Sequence, residues 1–246
     1  MFENIIEFKV SKDYFELKDQ YPEPIKYYVP EWYKKLKHEA GKRTVKGCMP
    51  FLDTLVTGYV LKMPLDFSIE HNVYSEHERQ SKITTGLSNS AGSEFAKNLN
   101  INTIEQFHSP LQLKGSPYVQ KNKNLPVGKI LNPWIIKTPP GYSCLFLPPM
   151  NNSDDRFSVI PGIVDTDSFP SEINFPYIVN GDKYPVLRSI VKAGTPYVQI
   201  IPFKREAWKM KVSAIDLKAT LRNRFVAALK LVESYKSKWW HKKSWK

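Results

Sequence analysis

The sequence predicts a mainly-β fold, a β-barrel or β-sandwich, with an aromatic N-terminal arm before it and an amphipathic helix after it. Three observations carry this expectation. Between residues 46 and 210, apolar residues recur in short runs at the two-residue period of a strand. Clusters of proline, glycine, asparagine and aspartate separate those runs, as turns do in all-β folds. Past residue 211 the apolar period changes to steps of three and four, the spacing of a helix.

Taken in order, residues 1–45 form the arm. YPEPIKYYVPEWYKKLKHEAGKR holds Pro22, Pro24 and Pro30, which favour extended backbone and forbid a long helix. Trp32, Tyr33 and Leu36 then suit one short helix with Pro30 near its first turn. An aromatic arm of this kind seals a core or a subunit contact. Residues 46–210 form the β-rich domain, with strand runs at GYVLKMPLDFSIE (58–70), YSCLFLPP (142–149), INFPYIVN (173–180) and YVQIIPF (197–203). In INFPYIVN, Ile173, Phe175, Tyr177 and Val179 fall on one face; Pro176 cannot donate to a ladder, so this strand is expected at an edge or a bulge. Residues 75–105 are polar and without a sustained period, so they read as an insertion carrying one helix, SEFAKNL.

Residues 211–246 make the last zone. Leu217, Leu221, Phe225, Ala228, Val232 and Tyr235 line one side of a helix expected to dock by that stripe. The tail KSKWWHKKSWK follows, interleaving Lys238, Lys242 and Lys243 with Trp239, Trp240 and Trp245. Rings between cations suit single-stranded nucleic acid or another anionic surface. Packing of the tail on its own domain or on a neighbouring subunit is the stronger expectation, because bare tryptophans invite aggregation.

Composition narrows the partners. A chain of 246 residues with 41% apolar content can bury a full core. The charges spread through MFENIIEFKVSKDYF exclude a signal-peptide core, and no apolar run has membrane-spanning length, so a soluble, intracellular protein is expected. Cys48 and Cys144 lack any paired spacing, which argues against a zinc cage, leaves at most one disulfide, and makes two free, buried thiols the simple reading. The net charge of +12 predicts attraction to an anionic partner such as nucleic acid, a nucleotide or an acidic protein surface. No P-loop, nucleophile elbow or dinucleotide fingerprint is present. His71 and His77 lie among glutamates but without the H-x-[DE] spacing of an iron site.

One stretch carries candidate chemistry: GIVDTDSF, residues 162–169. Asp165 and Asp167 alternate in this strand-like segment and are not read as a catalytic pair. With TPPGYSCLF before it and IVKAGTPYVQIIPF after it, the motif resembles the superfamily of trimeric deoxyuridine triphosphatases and deoxycytidine triphosphate deaminases. That resemblance implies a deoxyuridine-triphosphatase-like β-barrel. In it Asp165 would be the water-activating aspartate, Gln199 the phosphate-side glutamine, and Gly162 and Gly194 turn residues. Ser143 stands for the family's serine, and a magnesium ion carried by substrate phosphates would be the cofactor. The sequence departs from the pattern where Ser168 replaces the sugar-stacking tyrosine and leaves Phe169 one place late. No arginine accompanies Ser143, and a helix with a Lys/Trp tail follows where a glycine-rich phosphate arm would stand. Those parts hold phosphates, so their loss weighs against hydrolysis.

The order CMPFLDTLVTGY, NPWIIKTPPGYSCLFLPPMN, PGIVDTDSFPSEINFPYIVN and AGTPYVQIIPFKREAW also resembles an uncharacterised family of marine cyanobacterial phages, with distant members in bacteria. This resemblance implies a phage protein located in the host cytoplasm or the virion. It also implies phage or host proteins, or nucleic acid through the tail, as partners, and assembly as a homo-oligomer. Two functions follow as expectations: a non-catalytic structural or interaction protein, or a nucleotide-binding enzyme working through Asp165, Gln199 and magnesium.

Overall fold

The computed structural model describes residues 4–38, 44–74, 105–152, 154–229 and 234–246. The expected helix SEFAKNL, with His77 and nearly all of the polar insertion, lies outside them. Contacts group the chain into two compact units, each discontinuous in sequence: Met1–Glu23 with Gly58–Lys204, and Pro24–Thr57 with Arg205–Lys246.

The fold is mainly β. The strands are β1 (Glu7–Lys9), β2 (Glu23–Pro24), β3 (Tyr59–Lys62), β4 (Phe67–Asn72), β5 (Glu105–His108), β6 (Val127–Ile130) and β7 (Ile135–Lys137). They continue with β8 (Tyr142–Leu147), β9 (Phe157–Val159), β10 (Gly162–Val164), β11 (Phe175–Val179), β12 (Val186–Val191) and β13 (Pro196–Lys204). The helices are α1 (Lys12–Phe15), α2 (Glu31–Lys35), α3 (Met49–Val56), α4 (Pro117–Asn122), α5 (Leu217–Leu229) and α6 (Ser234–Lys238).

One sheet runs β10-β8-β13-β3-β2 and another β5-β6-β11-β9, while β1-β7 and β12-β4 form two-stranded ribbons. The registered pairs are antiparallel. Among the described residues these sheets do not close into a barrel. Their shared core joins Phe67 and Ile69 of β4, Ile130 of β6, Phe146 of β8, Tyr177 of β11, and Val198 and Ile200 of β13. Tyr14 is buried there and meets Trp134 edge-on, with ring centres 5.5 Å apart.

The runs 142–149 and 197–203 become β8 and β13 as their alternation predicts. GYVLKMPLDFSIE divides into β3 and β4, which join different sheets, because Pro64 interrupts the ladder between them. INFPYIVN yields β11 with Ile173, Phe175, Tyr177 and Val179 buried, but Ile178 is buried too. The expected edge position for that strand is corrected: β11 lies between β6 and β9. The proline is tolerated because β9 pairs only with Tyr177–Val179, so the missing N–H of Pro176 falls beyond its ladder, where the Pro176 carbonyl still accepts Ile160 N at 2.8 Å.

In the second unit, the ring of Tyr33 on α2 stacks on Phe51 of α3 at 5.8 Å, and the Lys46 ammonium sits 4.5 Å from the Tyr33 ring centre. Helix α5 forms where the spacing predicts, but its docking is corrected: Leu217, Leu221 and Phe225 are exposed, as is Tyr235 beyond it.

Candidate functional site

The GIVDTDSF stretch is a short strand followed by a turn. Only Gly162–Val164 pair with β8, which corrects both the turn expected at Gly162 and the strand expected through the two aspartates. After Val164 the Asp165 carbonyl accepts Ser168 N at 3.1 Å and Phe169 N at 2.9 Å, closing the turn. The exposed Asp165 carboxylate accepts the hydroxyl of buried Ser143 at 2.6 Å, and Asp167 accepts Gly141 N at 2.9 Å. Both acids therefore tie the turn to the start of β8, each by a different side-chain bond. Beneath them Thr166 is fully buried and donates to the Cys144 sulfur at 3.4 Å, while burial pushes the Cys144 thiol up to about 11. Phe169 is 39% exposed, and its carbonyl accepts the Lys137 ammonium at 2.6 Å.

The structure brings Ser143, Asp165 and Phe169 together and sets Gln199 and Gly194 apart from them. Along the β8–β13 ladder Gln199 is opposite Leu147, whereas Ser143 is opposite Phe203. Four strand positions at roughly 3.3 Å each put about 13 Å between Gln199 and Ser143. Gln199 is 0% exposed and its Oε1 accepts Met150 N at 3.0 Å, a bond that fixes the loop after β8. Gly194 lies beyond the far end of β13 at φ +80°, with its N–H on Met63 O at 2.8 Å, so there the expected turn glycine is present.

The loop held by Gln199 walls a pocket of about 140 Å³ in the first unit. Pro148, Pro149 and Pro196 bound it, together with Phe157 and Tyr197, and Lys121 and Asn151 add polar groups. Two aspartates at its side are already matched. Hydrogen bonds from the Arg156 guanidinium hold the Asp154 carboxyl below its ordinary range, with the Nη2–Oδ2 contact at 2.6 Å. Asp155 is lowered by the Lys183 ammonium at 2.8 Å and then by the Tyr184 hydroxyl at 2.7 Å. Arg156 also reaches Ser189 Oγ, fastening the loop to β12. In the sequence NNSDD (151–155) reads as a turn, and the signal that marks it is the double proline before it together with its paired acids. Asp165 and Gln199 do not line this pocket.

Among the described residues no group of three His, Cys, Asp or Glu stands close enough to hold a metal ion.

In the second unit the tail is pinned. Asp53 accepts Trp240 Nε1 at 3.1 Å on both oxygens and Lys243 Nζ at 2.5 Å. The Trp245 carbonyl accepts Lys26 Nζ at 2.7 Å. Trp239 is 46% exposed with Lys238 6.0 Å from its ring centre, and Lys242 is exposed. Of the six tail residues singled out as anion contacts, Trp240 and Lys243 are thus engaged by a carboxylate of the same chain.

No helix among the described residues is long and apolar enough to cross a membrane. Comparison with family models finds none that matches the chain, and comparison with curated proteins finds none either.

Proposed function

We propose that the chain is a phage-type structural or interaction protein, non-catalytic, built on a deoxyuridine-triphosphatase-like β scaffold and acting through its surfaces. The observation that carries this reading is the separation of the two residues a triphosphatase would use together. Asp165 fastens a turn through Ser143, and Gln199 is spent inside the sheet on Met150 N, about 13 Å away by strand rise. Hydrolysis of a phosphoanhydride needs its water-activating group and its phosphate-holding group within one substrate's reach.

One observation favours the alternative, a nucleotide pyrophosphatase. The Asp165 carboxylate is exposed at the rim of the sheet, and a base must reach water. Magnesium would then ride on the substrate phosphates and supply charge neutralisation. A thermal-shift screen of deoxynucleoside triphosphates with magnesium, on the native chain and on Asp165→Asn, decides between the two. The structural reading expects no shift with any nucleotide. A shift of several degrees that Asp165→Asn abolishes overturns it.

A further inference from the structure

The charge of this chain is not shared evenly between its two units. Residues 24–57 and 205–246, the second unit, hold 19 of the 36 lysines and arginines but only 6 of the 24 aspartates and glutamates, a balance of +13. The larger unit holds the other 17 against 18, a balance of −1. It supplies no net counter-charge, so the attraction of the whole chain for an anion belongs to the smaller unit. Repulsion among so many like charges opposes compactness until a partner neutralises them.

Contacts inside that unit gather its cations and rings. Asp53 on α3 accepts Trp240 Nε1 and Lys243 Nζ, while Phe51, two positions earlier on the same helix, meets the Trp32 ring with centres 6.0 Å apart. Lys26 Nζ donates to the Trp245 carbonyl at 2.7 Å. Residues 26–35, helix α3 and residues 239–245 thus meet. There Tyr27 (63%), Trp32 (41%) and Trp239 (46%) stay exposed, and so do Lys35, Lys238 and Lys242. Two of the rings already stand beside cations, Tyr27 with Lys26 Nζ 5.2 Å from its centre and Trp239 with Lys238 Nζ at 6.0 Å. Residues 234–246 add five lysines and no aspartate or glutamate.

The exposed apolar groups decide which anion fits. Among the described residues of 24–57 and 234–246, five large apolar side chains are exposed, and four are rings: Tyr27, Trp32, Tyr235 and Trp239, with Val45 the exception. A lipid surface takes aliphatic groups as readily as rings. An acidic peptide meets the lysines and leaves the rings unused. Bases use both, because their faces stack on rings while their phosphates meet ammonium groups, and only an unpaired strand has those faces free. We propose that this patch of the second unit binds single-stranded nucleic acid, with Tyr27, Trp32 and Trp239 stacking on bases and Lys238 and Lys242 meeting phosphates. This rests on the interaction reading above and names its partner. Asp53 is a positioning residue: by holding Trp240 and Lys243 it fastens the tail to α3 and leaves Trp239 and Lys242 exposed. Lys209, Lys211, Arg222 and Arg224, exposed before and along α5, add attraction at longer range.

Fluorescence anisotropy of a labelled polythymidine strand of about 20 nucleotides, roughly the length one or two such sites cover, tests this on the full chain. Binding is expected at about 50 mM salt and weakens about 100-fold by about 200 mM when about five phosphates are neutralised. Tyr27→Ala with Trp239→Ala, both at exposed positions, weakens binding by about 30-fold or more, the loss of two stacking rings. Lys238→Ala with Lys242→Ala lowers the slope of log affinity against log salt by about 1.4. Circular dichroism of both variants stays native. A strand that does not bind at low salt overturns the proposal, and so does an affinity that the ring variant leaves unchanged or a salt slope that the lysine variant leaves unchanged. Phosphatidylserine vesicles, polyglutamate or a duplex of equal length bound as tightly as the strand overturn it too. A chain that binds neither strand nor nucleotide sinks only this assignment, whereas a nucleotide shift abolished by Asp165→Asn sinks the interaction reading whatever the strand does.

Discussion

Gly128 on β6 stands directly opposite Tyr177 on β11, and a Cβ there would lie 2.2 Å from the tyrosine ring. The ring covers the glycine, so the missing side chain is what lets Tyr177 become 1% exposed and pack edge-on against Phe67, 5.6 Å away. Gly128→Ala must push that ring out of the core, an overpacking cost of about 1–3 kcal/mol. Calorimetry should show the melting temperature lowered by about 2–4 °C for each kcal/mol. Gly162→Ala, with open space around it, should leave the melting temperature unchanged. Sequence alone places Tyr177 on a buried face, since its neighbours alternate; it says nothing of Gly128, because what the glycine accommodates comes from 49 positions away in the chain. Asp165 shows the same limit. Its type and turn-forming neighbours are visible in GIVDTDSF, while Ser143, its tether, is set by the β8–β10 register.

At the level of elements, local pattern predicted what depends on local pattern. The alternation of 142–147 and 197–203 suffices for β8 and β13, and Pro30 suffices to start α2. Sheet order is another matter: the central place of β11 follows from where β9 stops, which no period encodes. Asp53 makes the case for α3 and the tail. In PFLDTLV it reads as a turn or cap; in the structure it sits on α3 and receives Trp240 and Lys243. Asp53→Ala removes a charged acceptor from a half-buried indole. Bonds to charged groups are worth about 1.5–3 kcal/mol, discounted because Lys243 is 44% exposed. We expect a red shift of tryptophan emission and trypsin cleavage after Lys242 or Lys243 accelerated several-fold. Unchanged emission and cleavage would show that Asp53 does not hold the tail.

For the molecule as a whole, the net charge of +12 was legible at once, and the mainly-β class followed from the runs and turns. The titration behaviour was not, since it depends on burial. His71 on β4 is 3% exposed; its Nε2–H donates to Tyr184 O at 2.7 Å, and burial holds the imidazole below its ordinary 6.5. The folded state thus binds a proton later than the unfolded chain does. Stability from this residue is complete above about pH 6.5 and declines as pH falls below that value toward the folded pKa. Urea midpoints should drop between pH 7 and pH 5, and His71→Gln should flatten that slope. A slope equal in both proteins would remove His71 as its source. The lowered carboxyls of Asp66, Asp154 and Asp155 act in a more acidic window, losing their contribution only below the ordinary carboxylate range.

The division into two discontinuous units has a consequence for biosynthesis. Residues 24–57 emerge from the ribosome early, yet their companions, 205–246, follow only after the whole sheet-bearing stretch 58–204. During translation the sheets can therefore close first, while Tyr33 and Phe51 have each other within the early half and Asp53 waits for Trp240 and Lys243. The smaller unit is completed last, so a stalled or truncated chain would leave its early half without the segment that finishes it.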